Sequence, residues 1–114
     1  MLFAATPVVA GDLEDGMAAY DAGDYQKAFR LWKRSAEQGA MAAQILLGSM
    51  YAEGKGVPED DVRAYAWLSI VAAQRYGAAP IIKEHTADHM TPAQIAEGQK
   101  LSCELWEKYV LPFQ

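Results

Sequence analysis

Apolar residues recur at helical spacing along most of the chain, and short segments rich in glycine or polar residues interrupt them. This pattern predicts three helix pairs. The predicted helices span about 13–22 and 25–38, about 40–52 and 60–76, and about 79–89 and 92–110. Because the turns within the pairs are short, the two helices of a pair are expected to be antiparallel. A helix pair cannot bury its apolar faces alone, so we predict an all-α fold, a short right-handed α-solenoid of about three stacked pairs.

The central pair, about 40–76, has the most regular pattern of small and large residues. Gly48 is expected to let the facing helix approach closely. Gly54 and Gly56 are expected to adopt positive φ in the connecting loop, and Trp67 is predicted to fill the space between pairs. The residues predicted to build this repeat are Ala43, Leu47, Gly48, Tyr51, Gly54, Gly56, Val57, Ala64, Trp67 and Ala72.

The last predicted helix has a clear start signal. Thr91 and Gln94 are spaced as a capping box, and Pro92 occupies the first helical position. The helix then carries one apolar and one polar stripe, so residues of about 79–110 are predicted to form a capping helix pair that closes the solenoid.

Composition and charge narrow the functional classes. The chain has 114 residues, of which 52% are hydrophobic, and a net charge of -5, which suits one folded domain over residues 11–114. An acidic chain is a poor nucleic-acid binder, because phosphate backbones need a basic surface. No segment approaches the length needed to span a bilayer. Cys103 is the single cysteine, so an intrachain disulfide is excluded, and we expect it to be a small buried hydrophobe.

Residues 1–10 are apolar and uncharged, and they end in Val8-x-Ala10 before acidic sequence. This resembles the end of a secretory signal peptide with a small-residue cleavage site, although no lysine or arginine precedes the apolar run. Two interpretations remain: a signal-peptide remnant, which implies export to a bacterial periplasm, or an apolar N-terminal tail. The first is preferred.

The central repeat resembles the Sel-one-like repeat (SLR) family, which is related to the tetratricopeptide repeats. The resemblance rests on Ala43, Leu47-Gly48, Tyr51, Gly54-Lys55-Gly56-Val57, Asp61, Arg63-Ala64, Trp67 and Ala72-Ala73. It implies a non-enzymatic adaptor that holds a protein or peptide partner, commonly in bacterial envelope or signalling assemblies, with no cofactor. By analogy with helical repeats, the first helix of each pair is expected to line the concave face. The candidate contact residues there are Tyr20, Gln44, Ser49, Glu53, Lys83 and Asp88.

Two alternatives belong to other functional classes. His85 and His89 stand one helical turn apart and could grip a metal ion, which would suit a metal-binding enzyme accessory or weak hydrolase, but the sequence places no third ligand. The chain could instead be a structural subunit that self-assembles, because a short solenoid has open ends whose apolar faces can pair.

Overall fold

The structure, a computed structural model, describes residues 8–114, with side chains from Gly11 onward. This part of the chain holds six α-helices, one short 3₁₀-helix at Leu111–Phe113 and no strand. The α-helices are α1 (Val8–Asp21), α2 (Tyr25–Ala36), α3 (Met41–Glu53), α4 (Asp61–Ala73), α5 (Ala79–Ala87) and α6 (Pro92–Tyr109). The prediction of an all-α solenoid is therefore confirmed. None of the described helices is both long and apolar enough to cross a membrane.

Side-chain caps fix where several helices begin. The carboxylate of Asp24 accepts a hydrogen bond from the Lys27 amide ahead of α2, and Asp60 accepts one from the Arg63 amide at the start of α4. Thr91 and Gln94 form the predicted capping box of α6, with bonds of 2.9 and 3.1 Å. Each cap satisfies backbone amides that have no partner inside the helix.

Helix α1 begins at Val8, upstream of the predicted start near Leu13. Residues 8–10, the end of the predicted leader, thus belong to the first turn of α1. The rest of that leader, residues 1–7, lies outside the described residues.

In the first helix pair, α1 packs on α2 through a glycine beneath a tryptophan. A Cβ added to Gly16 would lie 2.4 Å from the indole nitrogen of Trp32. That nitrogen donates a hydrogen bond of 3.1 Å to the Leu13 carbonyl. Near the start of α1, the buried carboxylate of Asp12 accepts two bonds from Arg34, of 2.6 and 2.7 Å. Polar contacts therefore join the two helices at both places.

In the second pair, α3 packs on α4 through apolar and small residues. A Cβ on Gly48 would lie 3.0 Å from Leu68 Cγ and 3.4 Å from the Ala64 carbonyl oxygen. The close approach predicted for Gly48 is confirmed. Gly54 and Gly56 have φ of 69° and 75°, also as predicted.

The other residues predicted to build the repeat are buried or half-buried. Ala43, Leu47 and Ala64 have no exposed surface, Tyr51 is nearly buried, and Val57 and Ala72 are half-buried. They therefore occupy interior positions, which suits a role in packing.

Helix α4 is the centre of the fold, because it packs against α3, α5 and α6. The predicted third pair accordingly differs from the first two: α5 and α6 both pack on α4 rather than chiefly on each other. Gly98 of α6 lies under the Tyr65 ring. Trp67 is 5% exposed and stacks on Tyr109 with ring centroids 5.6 Å apart, which confirms its predicted burial.

The C-terminal part of the chain returns to the junction between α2 and α3. Phe113 covers Gly39, where an added Cβ would lie 2.6 Å from the ring. The side-chain nitrogen of Gln44 donates to the carbonyls of Ala36 and Tyr109, at 3.0 and 3.3 Å. Gln44 thus joins α2, α3 and α6.

Two sequence predictions about exposure are wrong. Gln44, predicted as a surface contact, has no exposed surface, because its amide is used to bind two helix C-terminal carbonyls. Cys103, predicted to be buried, is exposed, because α6 packs on α4 through the face that carries Gly98 and Leu105.

Candidate partner-binding surface

The first helices of the pairs, α1, α3 and α5, border two neighbouring grooves. The α1/α3 groove lies between the first two of these helices, and the α3/α5 groove lies between the last two. Ser49 and Glu53 of α3 line both, so the grooves adjoin along one side of α3. Each encloses about 280 Å³, at the lower limit of the ~300 Å³ typical of small-molecule pockets. Their size suits a row of side chains from a partner.

The α1/α3 groove is mainly apolar. Trp32 and Met50 form its buried floor, Leu46 is half-buried beside them, and Met17 lies at the edge with 51% of its surface exposed. A partly exposed methionine beside a tryptophan provides an adaptable apolar contact surface.

Tyr20 forms a wall of this groove and is held in place by its neighbours. Its ring stacks on Trp32 with centroids 5.6 Å apart and meets Tyr25 at 4.8 Å. The Lys55 ammonium donates a 2.9 Å hydrogen bond to the Tyr20 hydroxyl and lies over both tyrosine rings. That bond holds the pKa of Lys55 above its usual value. The Tyr20 side chain is therefore held in position by contacts within the protein.

Carboxylates line the far end of the grooves, which is the end at which α1 and α3 terminate. Asp21 is the last residue of α1 and Glu53 the last residue of α3, while Glu59 and Asp61 border the α3/α5 groove. The carboxylate of Glu53 is 3.8 Å from Lys55 Nζ. Asp21, Glu59 and Asp61 form no ion pair with another described residue. Within residues 11–114, no lysine or arginine lines either groove.

His85 and His89 border the α3/α5 groove and are exposed. Their ring centroids are 5.3 Å apart, and His89 Nδ1 lies 3.1 Å from the His85 carbonyl oxygen. Among the described residues, no group of three or more histidine, cysteine, aspartate or glutamate side chains is arranged to hold a metal ion.

The structure brings together three of the six predicted contact residues. Tyr20, Ser49 and Glu53 share the α1/α3 groove, whereas Gln44 is buried. Lys83 packs over the Tyr65 ring at 5.4 Å, and Asp88 is exposed; neither lines the α1/α3 groove or the α3/α5 groove.

The sequence did not point to most of the other groove residues, among them Met17, Trp32, Leu46, Met50, Glu59 and Asp61. A signal was present for some of them. Met17 precedes Tyr20 by three residues, and Leu46, Met50 and Glu53 follow helical spacing on α3, so each set shares one helix face.

Comparisons with known proteins agree with this fold. The chain is 36% identical over 59 residues to the exopolysaccharide production negative regulators of Rhizobium leguminosarum bv. viciae and Rhizobium meliloti (strain 1021). The match covers 52% of this chain but 22% of each regulator, so it spans about a fifth of their length.

A solved structure has a similar fold. It is a protective antigen present in uropathogenic Escherichia coli strains, described as displaying an SLR fold. It superposes with a TM-score of 0.87 and 29% sequence identity, covering 92% of this chain and 24% of the antigen. The model of the Sel1 repeat matches residues 14–39 and 42–76, which cover most of the first two helix pairs. The chain belongs to the Sel1 repeat family.

Proposed function

We propose that this protein is an adaptor that binds one segment of a partner protein along the joined grooves of α1, α3 and α5. Sel1 repeat proteins generally mediate protein–protein interaction and are generally scaffolds rather than enzymes. The observation that carries the proposal is the apolar α1/α3 groove, with Met17 half-exposed over a tryptophan floor. Exposed apolar surface next to polar residues is typical of interaction sites.

The partner segment is a helix or an extended peptide. An amphipathic helix places side chains from one face into a groove at three- and four-residue spacing. Leu46, Met50 and Glu53 of α3 line the groove at the same spacing. A groove of about 280 Å³ has room for a few side chains of such a segment.

We further propose that the adaptor acts in the bacterial envelope. The support is the apolar run of residues 1–10 and its Val8-x-Ala10 ending. Cleavage after Ala10 would remove the first turn of α1 while leaving Asp12 and its bonds to Arg34. The mass of the protein recovered from the periplasmic fraction tests this: a mature chain beginning at Gly11 supports it, and recovery from the cytoplasm alone overturns it.

Affinity capture from the source organism after mild crosslinking tests the adaptor. The full chain serves as bait beside Met17→Glu, which places a charge in the α1/α3 groove. Ile81→Glu is the matched control, since Ile81 is 74% exposed and lines neither groove. A partner captured by the parent and the control but lost with Met17→Glu supports the proposal. Equal capture by all three baits, or recovery of the bait protein alone, contradicts the proposed site.

A further inference from the structure

We infer that the partner segment is cationic and amphipathic, with apolar side chains in the α1/α3 groove and lysine or arginine side chains against the carboxylates at its far end. This inference rests on the proposed adaptor function and specifies the chemistry of the partner. Neither an apolar groove alone nor an acidic cluster alone would identify it; the combination on one face does.

Two of the groove carboxylates lie at helix C-termini. Asp21 and Glu53 occupy the last positions of α1 and α3. A carboxylate at a helix C-terminus faces the negative end of the helix dipole, so these two acids do not stabilise their own helices. A cation brought by a partner would relieve this repulsion, and for that reason the two positions favour a basic ligand.

No lysine or arginine lines the α3/α5 groove within the described residues. Glu59 and Asp61 form no ion pair within the described residues, and Glu53 has only the 3.8 Å approach of Lys55. Lys55 is itself hydrogen-bonded to Tyr20. The carboxylates along the α3/α5 groove are therefore available to a ligand, and the net charge of -5 would steer a basic segment toward the protein.

Along α3, apolar groove residues precede the carboxylate. Leu46 and Met50 face the α1/α3 groove, and Glu53 follows them at the end of the helix, where both grooves adjoin. A bound segment would thus meet apolar surface first and carboxylates next. An amphipathic segment with a basic flank matches that order, whereas an acidic segment would place like charges together.

A displayed peptide library tests the inference with the full chain as target. The peptides are about 18 residues long, enough for about five helical turns. They carry leucine at helical spacing, and lysine, glutamate or glutamine is varied at the remaining positions. We expect selection to enrich lysine over glutamate on one flank of the apolar row. The affinity of selected peptides should fall as NaCl rises from about 50 to about 500 mM.

Two charge variants identify the responsible carboxylates. The groove variant combines Glu53→Gln, Glu59→Gln and Asp61→Asn. The control combines Glu14→Gln, Asp15→Asn and Glu84→Gln, which changes the net charge equally at exposed positions outside both grooves. We expect the groove variant to weaken binding of a selected basic peptide by about tenfold and the control to change it by less than about threefold.

The outcomes separate this inference from the proposed function. If Met17→Glu abolishes peptide binding but selection shows no preference for lysine, the adaptor stands and the cationic partner is refuted. Equal losses in the two charge variants also refute it, because the effect would then come from net charge alone. If no peptide is enriched, or Met17→Glu leaves binding unchanged, the proposed site fails and the inference fails with it.

Discussion

The first and second helix pairs share one packing contact but differ in its chemistry. In both, a glycine on the first helix lies beneath a large side chain of the second: Gly16 under Trp32 and Gly48 under Leu68. The indole brings a polar nitrogen into the contact, and it donates to the Leu13 carbonyl. Leu68 brings no polar atom and needs no such partner. The same small-under-large contact is therefore polar in one pair and apolar in the other.

The pairs also differ in their neighbours. Helix α4 of the second pair packs against α5 and α6 as well as α3, whereas α1 of the first pair packs mainly on α2. Among the described residues, the buried apolar cluster at the first pair is the smaller of two, with Ala19, Ala28, Trp32 and Met50, and the ion pair between Asp12 and Arg34 adds to it. The comparison indicates that the first pair relies more on polar contacts and the second pair more on the burial of apolar side chains.

The largest effect on stability is expected from removing the Trp67 side chain, which lies on α4 of the second helix pair. We expect Trp67→Ala to lower the free energy of unfolding by about 3–5 kcal/mol, because the side chain is nearly buried and stacked on Tyr109. In a domain of this size that loss would abolish cooperative thermal unfolding. Trp106→Ala, at a half-buried position on α6, is the control and should cost less. An unchanged melting curve for Trp67→Ala would refute the buried placement.

A substitution at Gln44 tests the hydrogen bonds that join α3 to α2 and α6. In Gln44→Glu, a buried carboxylate would face the carbonyl oxygens that the amide nitrogen now binds, which should cost about 3 kcal/mol near pH 7. The cost should fall at acidic pH, since a protonated carboxyl can donate one hydrogen bond. Urea unfolding at several pH values measures both effects. Gln38→Glu, at an exposed position, is the control; equal stability of the two variants would contradict the junction.

Much of the fold could be predicted because it depends on local signals. Helical periodicity, the capping box at Thr91 and the loop glycines gave helix bounds that agree with the structure to within a few residues, except at the start of α1. Small residues at Gly48 and Ala64 located the α3–α4 contact. The joint packing of α5 and α6 on α4 was not predictable, because it depends on contacts between segments distant in sequence.

The site was less predictable for the same reason. Gln44 is polar and was therefore assigned to the surface, but its burial depends on two carbonyls that α2 and α6 bring to it. Trp32 and Met50 belong to the core and at the same time form the groove floor, a double role that periodicity cannot reveal. Tyr20, Ser49 and Glu53 were found because they lie on one face of the first helices.

Alanine at the two glycines gives a direct comparison of the pairs. A Cβ at position 16 would lie 2.4 Å from a rigid indole, so Gly16→Ala should lower stability by about 1–2 kcal/mol even though alanine favours helix. At position 48 the nearest atoms are farther away, Leu68 Cγ at 3.0 Å and the Ala64 carbonyl oxygen at 3.4 Å, so Gly48→Ala should lower stability by less, below about 1 kcal/mol. Urea unfolding measures both. The reverse order would contradict the tighter contact in the first pair.

The smallest expected effect concerns the ion pair of the first helix pair. The hydrogen bonds from Arg34 hold the pKa of Asp12 below its ordinary value of 3.8, despite the opposing effect of burial. A carboxylate with a lowered folded-state pKa stabilises the protein above its unfolded-state pKa, and this contribution disappears as pH falls through the folded-state value. Asp12→Asn should therefore be less stable than the parent from about pH 5 to 7.

The pH dependence distinguishes this ion pair from a general effect of charge. Below about pH 4 the difference in unfolding free energy between the parent and Asp12→Asn should narrow, because the parent then loses the same interaction. Asp15→Asn, at an exposed position on the same helix, should show no such pH-dependent difference. Urea unfolding of the three proteins between about pH 3 and pH 7 makes the comparison. If the Asp12→Asn difference stayed constant down to the lowest pH, the ion pair would not contribute, and other contacts, such as those of Trp32 with Gly16 and Tyr20, would hold α1 on α2.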